Sequence, residues 1–173
     1  MGRLVVLTGG RGVGKSTVCR RAVALAGRRG YSCGGIVTLA HEGARDVLDV
    51  TSGRRRRLTQ TSNEGETVVQ GRFRFDPRTL SWGNAALSRA TPCDLLVIDE
   101  VGPLEMERGR GWVAAFDVLR AGDYALALLV VRPELTAQAC DTLAGCTLEI
   151  VTVTRRNRDR LPARLVDMVG RET

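Results

Sequence analysis

Gly9-Gly10-Arg11-Gly12-Val13-Gly14-Lys15-Ser16 stands directly behind the apolar run Leu4-Val5-Val6-Leu7 and directly ahead of a helical pattern from Thr17 to Ala26. Strand, glycine-rich turn and helix in that order, with the pattern G-x-x-x-x-G-K-[ST], read as a phosphate-binding (Walker A) loop. Glycines let the backbone curl until successive N–H groups point inward, and a backbone without side chains can approach phosphate closely. The following helix adds the positive end of its dipole. Gly9, Gly10, Arg11, Gly12, Val13 and Gly14 are therefore expected around the phosphates of a bound nucleotide. Lys15 bridges the β- and γ-phosphates, the Ser16 hydroxyl takes a position on Mg²⁺, and Thr17 reaches the α-phosphate.

A second stretch complements the first. Asp94-Leu95-Leu96-Val97-Ile98-Asp99-Glu100 is an apolar run ending in two acids. That is the form of a buried parallel strand whose C-terminal end delivers carboxylates to a ligand crevice, a Walker B strand. Asp99 is expected to hold the Mg²⁺, and Glu100 to orient and polarise the attacking water as a general base. Lys15 and Glu100 are thus the expected catalytic residues, and Ser16 and Asp99 the metal ligands.

Outward from these stretches, the pattern alternates. Gly34 to Ala40 and Tyr124 to Val131 read as strands, as does Thr147 to Val153, while Thr79 to Ala90, Glu134 to Leu143 and Leu161 to Val169 read as helices. Trp112, Phe116 and Leu119 are spaced for the buried face of another helix, and Trp112 reads as core. Val47 to Thr51, Leu58 to Thr61 and Gly71 to Phe75 look like short antiparallel strands inserted beside the main sheet, with turns at Ser52-Gly53 and Asn63-Glu64-Gly65. The whole is expected to be a mainly parallel α/β sheet with a small antiparallel insertion at about 45–76.

A chain of 173 residues fits one nucleotide-binding domain. No window has the apolar length of a membrane span and no apolar leader precedes the first strand, so a cytoplasmic protein is expected. Cys19, Cys33, Cys93, Cys140 and Cys146 show no C-x-x-C pair and read as reduced, mostly buried side chains. His41, the single histidine, reads as a solvated turn residue rather than a base. A net charge of +7 attracts polyanions, nucleotides among them. Arg54-Arg55-Arg56-Arg57 extends the turn after Ser52-Gly53 and reads as a solvated loop, since stacking aromatics do not interrupt the run. Nothing fixes the oligomeric state, and a monomer is the simpler expectation.

The loop from Leu7 to Thr17, the stretch from Val97 to Glu105 and the stretch from Val153 to Asp159 together resemble the P-loop nucleoside-triphosphatase family that includes thermophilic bacterial enzymes and the human cancer-related nucleoside-triphosphatase. Gly35 and the stretch from Gly71 to Asp76 look like that family's inserted strands. The resemblance runs over nearly the whole chain. It implies a RecA-like P-loop α/β sandwich and Mg²⁺-dependent hydrolysis of ATP, GTP and other nucleoside triphosphates with broad base tolerance. It also marks Asn157 and Arg158, which lie in a loop at a strand end where the base or ribose would be met. The alternative is that Asn157 and Asp159 cap the last helix while Arg158 is solvated. Ser81 and Val130 depart from the family's pattern, which has a glutamate and a polar residue at those places. The same loop and metal would also serve a nucleotide, small-molecule or polynucleotide kinase, or a nucleic-acid-binding ATPase switch, and the residues alone leave these open.

Overall fold

Strand β1 (Arg3–Thr8) and helix α1 (Lys15–Arg28) flank the glycine-rich loop, as the sequence predicts. A computed structural model describes residues 2–60 and 66–170. After α1 come β2 (Cys33–His41), β3 (Ala44–Asp49), β4 (Arg55–Arg57), β5 (Val68–Gln70), β6 (Phe73–Phe75) and α2 (Pro77–Ser88). The chain continues through β7 (Cys93–Val101), the short α3 (Pro103–Met106), α4 (Ala114–Ala121) and β8 (Tyr124–Val131). It ends with α5 (Thr136–Thr142), β9 (Leu148–Thr152) and α6 (Leu161–Val169).

Seven strands form one sheet in the order β4-β3-β2-β7-β8-β1-β9. From β2 to β9 every neighbour is parallel, and β3 and β4 extend the β2 edge antiparallel. Alternation along each strand feeds two cores. Leu4, Val6, Leu96 and Ile98 point to the face covered by α2, α4 and α5. Val5, Leu7, Leu95 and Val97 point to the face covered by α1 and α6. Because the five parallel strands run the same way, the loops after β1, β2, β7, β8 and β9 gather at one sheet edge, where a ligand crevice is expected.

The insertion differs from expectation in three places. The β2–β3 hairpin turns at Glu42-Gly43, so the first inserted strand continues the main sheet, and only β5 and β6 stand apart as a two-stranded sheet. Arg55–Arg57 of the arginine run form the edge strand β4 and not a loop. Residues 55 and 57 share a face, so Arg55 and Arg57 both pair with the buried Asp46, at 3.2 and 2.7 Å, while Arg56 lies over the Trp82 ring at 5.0 Å. Of the strand expected from Leu58 to Thr61 only an isolated bridge from Thr59 to Phe75 forms among the described residues, whereas the strand expected from Gly71 to Phe75 forms as β6. The turn expected at Asn63-Glu64-Gly65 lies outside them. His41 ends β2 beside the Glu42-Gly43 turn and is exposed, as predicted, with its Nε2 3.3 Å from Asp46 Oδ2. Trp112 is buried in the core as predicted, and its ring fills the space beside Gly83.

Among the described residues no helix is long and apolar enough to cross a membrane. The five cysteines carry free thiols.

Candidate active site

The turn out of β1 is built on backbone angles that side chains resist. Gly9 has φ 137° and Gly14, which opens α1, has φ 107°. A Cβ on Gly9 would also lie 2.4 Å from the Val153 carbonyl oxygen, so the loop runs against the end of β9 with no room for a side chain. Within the loop, the side chain of Lys15 folds back, and its Nζ donates to the carbonyls of Gly9 at 2.6 Å and Gly10 at 2.9 Å. Burial lowers its ammonium pKa, while nearby Glu100 and Asp99 pull the other way and Arg132 adds to the lowering. Val13 turns its side chain toward the core beneath the loop, unlike the residues on either side, which line the cleft.

Residues 83 positions apart meet at this point, where the Ser16 hydroxyl donates to Asp99 Oδ1 at 3.1 Å. Asp99 is fully buried, and its other oxygen accepts from the Thr38 N–H at 3.1 Å. Burial pushes the Asp99 carboxyl up to about 7, offset in part by the bonds from Ser16 and Thr38. A buried carboxylate so short of compensating charge is suited to a bound cation.

Adjacent residues on a regular strand point to opposite faces, yet Asp99 and Glu100 both serve the cleft. An irregularity in the β7–β8 register between Ile98 and Val101 makes this possible, with Glu100 at φ 69°. Among the described residues Glu100 is the one non-glycine with positive φ. Bulges of this kind re-aim side chains beside functional sites. The Glu100 carboxylate is held from both sides, Oε2 by Arg45 Nη1 and Oε1 by Arg132 Nη2 at 3.3 Å. Arg132 directly follows β8, the strand between β1 and β7, and so sits between the glycine-rich loop and the two acids.

Glu105 takes a structural part. Its carboxylate accepts from the Gly102 N–H and the Trp112 N–H, each at 2.8 Å, tying together the ends of the segment that follows β7. Burial raises its pKa.

The cleft between these groups has a volume of about 1000 Å³ and takes in Gly9, Gly10, Arg11, Gly12, Gly14, Lys15, Ser16, Thr17, Asp99 and Glu100. Asn157 and Arg158 do not line it. The Asn157 amide is spent within its own loop, donating to the Thr152 carbonyl at 2.9 Å and accepting from the Thr154 N–H at 2.8 Å. Arg158 lies along the outside of the glycine-rich loop, with Nη1 3.4 Å from the Val13 carbonyl and Cδ packed against Gly14. Asp159 pairs with Arg21 of α1 at 2.6 Å, and no side chain caps α6. Val130 is buried in the floor of the cleft, and Ser81 is exposed on α2 away from it. Thr38, Arg45 and Arg132 are cleft groups for which the sequence carries no motif. The one signal is positional, since Arg132 and Thr38 fall at or near the C-terminal ends of strands.

A family model described as NTPase matches residues 4–166. The nucleoside-triphosphatase THEP1 of Methanosarcina barkeri is 32% identical over 170 residues, spanning 94% of this chain and 95% of that protein. The nucleoside-triphosphatase THEP1 of Methanopyrus kandleri is 33% identical, spanning 95% of this chain and 94% of that protein. The crystal structure of THEP1 from the hyperthermophile Aquifex aeolicus superposes with a TM-score of 0.74 over 97% of this chain and 99% of that one, at 16% identity. The shared fold is therefore that of a P-loop NTPase.

Proposed function

The chain belongs to the NTPase family, and from that premise we propose that it is a Mg²⁺-dependent nucleoside-triphosphatase releasing phosphate from ATP, GTP and other nucleoside triphosphates. The observation that carries this reading is the meeting of Ser16 and Asp99 at the mouth of the Gly9–Ser16 loop, with Glu100 beside them.

In this reading the triphosphate enters the glycine-rich loop and takes its backbone N–H groups. Lys15 leaves the Gly9 and Gly10 carbonyls for the β- and γ-phosphates, exchanging neutral partners for charged ones. Mg²⁺ suits the Ser16 hydroxyl and the Asp99 carboxylate, since it takes few protein ligands, prefers hard oxygens and completes its shell with phosphates and water. Held by Ser16 and Asp99, the ion would supply charge neutralisation for the phosphate oxygens. Glu100 is withheld by Arg45 and Arg132 until a γ-phosphate competes for those guanidiniums. Once released, it orients the attacking water as general base, and Arg132 faces the charge that develops on the transferred group.

Tolerance of many bases is the part of this reading that comes from the family resemblance. The test is a product analysis with ATP, GTP, CTP and UTP in turn. Inorganic phosphate and the matching diphosphate are expected from all of them. Label passing to an organic acceptor in place of water contradicts the proposal.

A further inference from the structure

The cleft is longer than the phosphate loop requires. From β1 it crosses β8 and β7 to β2, three inter-strand steps that together span about 14 Å. The loop and Lys15 occupy the β1 end, and Asp99 of β7 meets Ser16 in the middle of the cleft. The opposite end is walled by Arg45 of β3, Arg72 and Phe73 at β6, and Pro103, Leu104 and Arg108 at and after α3. None of the chemistry above uses Arg72, Phe73 or Arg108.

Charge at that end is one-sided. Its carboxylate is Glu100, already engaged by Arg45. No acid among the described residues lies within ion-pair distance of Arg72 or Arg108. The contrast with β4 is direct, since there a buried aspartate answers Arg55 and Arg57. The guanidiniums are also held in place. Arg45 and Arg72 lie over the Phe73 ring at 4.4 and 5.0 Å, and Arg108 Nη1 donates to the Val69 carbonyl at 3.2 Å. Stacking on a ring uses the face of a guanidinium and leaves its N–H edge free to donate. Fixed donor forks beside an apolar wall of Phe73, Pro103 and Leu104 match a phosphate group carried on a small organic body.

We propose that this end of the cleft is a second binding site that takes a phosphate monoester alongside the nucleoside triphosphate. The inference rests on the reading of Gly9–Ser16 as the triphosphate site. Arg72 and Arg108 donate to the monoester's phosphate, and the body of the ligand lies against Phe73 and Leu104. A mononucleotide and the 5′-phosphorylated end of an oligonucleotide both carry that group.

The experiment is calorimetric titration of the protein saturated with Mg²⁺ and a non-hydrolysable triphosphate analogue. The probes are AMP, a 5′-phosphorylated oligothymidylate, and the same oligonucleotide without its phosphate. A phosphorylated probe is expected to bind as a second equivalent, with the unphosphorylated oligonucleotide at least about tenfold weaker. Binding of AMP identifies a small-molecule site, and binding of the phosphorylated oligonucleotide alone identifies a polynucleotide end. Arg72→Gln with Arg108→Gln should weaken that second equivalent at least about tenfold, leaving analogue affinity and basal phosphate release unchanged. Should the double variant melt early, Arg72→Gln alone carries the test, its side chain being exposed. The proposal is overturned if neither phosphorylated probe adds to the analogue complex, if the unphosphorylated oligonucleotide binds equally, or if the variants bind like wild type. Failure of the analogue itself to bind removes the triphosphate reading instead, and the probes titrated alone then decide the second site by the same comparison.

Discussion

Glu100 holds a left-handed backbone conformation at φ 69°, with both carboxylate oxygens engaged by arginines. That conformation costs a non-glycine residue about 1–3 kcal/mol, and it persists where surrounding structure over-determines it. Glu100→Gln should therefore keep the fold and the nucleotide site while removing the base. Nucleotide binds and turnover falls at least about 10²-fold, as equilibrium binding and steady-state rates measured on one preparation would report. Equal loss of binding and turnover would make Glu100 a ligand of the metal or a structural acid. Arg132 makes a second residue-scale prediction. Its side chain is 43% exposed, so Arg132→Ala should leave Tm unchanged and lower kcat about tenfold through the lost charge on the transferred group. A rise in kcat would mean that the arginine only restrains Glu100. The sequence announces Glu100 as an acid at a strand end, but its clamp joins residues 55 and 32 positions away, which no local pattern can announce. Asn157 shows the converse, a residue marked by position and resemblance whose amide closes its own loop.

Elements with a strong period were legible, and elements defined by their partners were not. The expected helix from Leu161 to Val169 coincides with α6, and Leu4–Leu7 falls within β1, because burial of one face or one run dictates the spacing. The helix expected from Glu134 to Leu143 is instead a single 3₁₀ turn, Pro133–Leu135, followed by α5. Four arginines in a row give no apolar period, and Arg55–Arg57 become a strand only because β3 offers an edge and Asp46 a counter-charge. The junction of β1, loop and β9 makes its own prediction. Gly9→Ala forces a Cβ to within 2.4 Å of the Val153 oxygen at a φ of 137°, and should lower Tm by about 5 °C or more together with nucleotide affinity. An unchanged melting curve would show that the loop shifts freely. At the opposite sheet edge, Asp94 joins the starts of β2 and β7 by accepting from the Ser32 hydroxyl and N–H, both at 2.7 Å. These bonds, the hydroxyl first, hold its carboxyl below the ordinary 3.8. A depressed carboxyl stabilises the fold above its unfolded pKa, and that contribution fades as pH falls through the lowered value. Ser32→Ala should thus narrow the stability lost below the ordinary value, as acid titration of Tm would register; superimposable acid limbs would contradict this.

At the scale of the molecule, one parallel sheet explains why distant stretches converge. The P-loop strand β1 and the acidic strand β7 are separated by β8, and all three end at the same edge, so Lys15, Arg132 and Glu100 face one cleft. The alternation of strands and helices made this architecture readable from the sequence. The strand order, which seats Arg132 between the other two, depends on packing and was not. The metal reading also belongs here. Chelation by EDTA should abolish phosphate release and added Mg²⁺ restore it, with the protein remaining folded by circular dichroism throughout, since both cores are built of apolar side chains and neither includes Ser16 or Asp99. Phosphate release that persists in EDTA would contradict a metal at Ser16 and Asp99. The central claim is that the Gly9–Ser16 loop holds the triphosphate whose γ-phosphate is cleaved. Its most direct measurement is kcat/KM for phosphate release from ATP by the wild-type chain and by Lys15→Ala, compared at matched Mg²⁺. The account predicts a loss of at least about 10²-fold, near 3 kcal/mol of transition-state stabilisation, and hydrolysis by Lys15→Ala at close to the wild-type rate would contradict it.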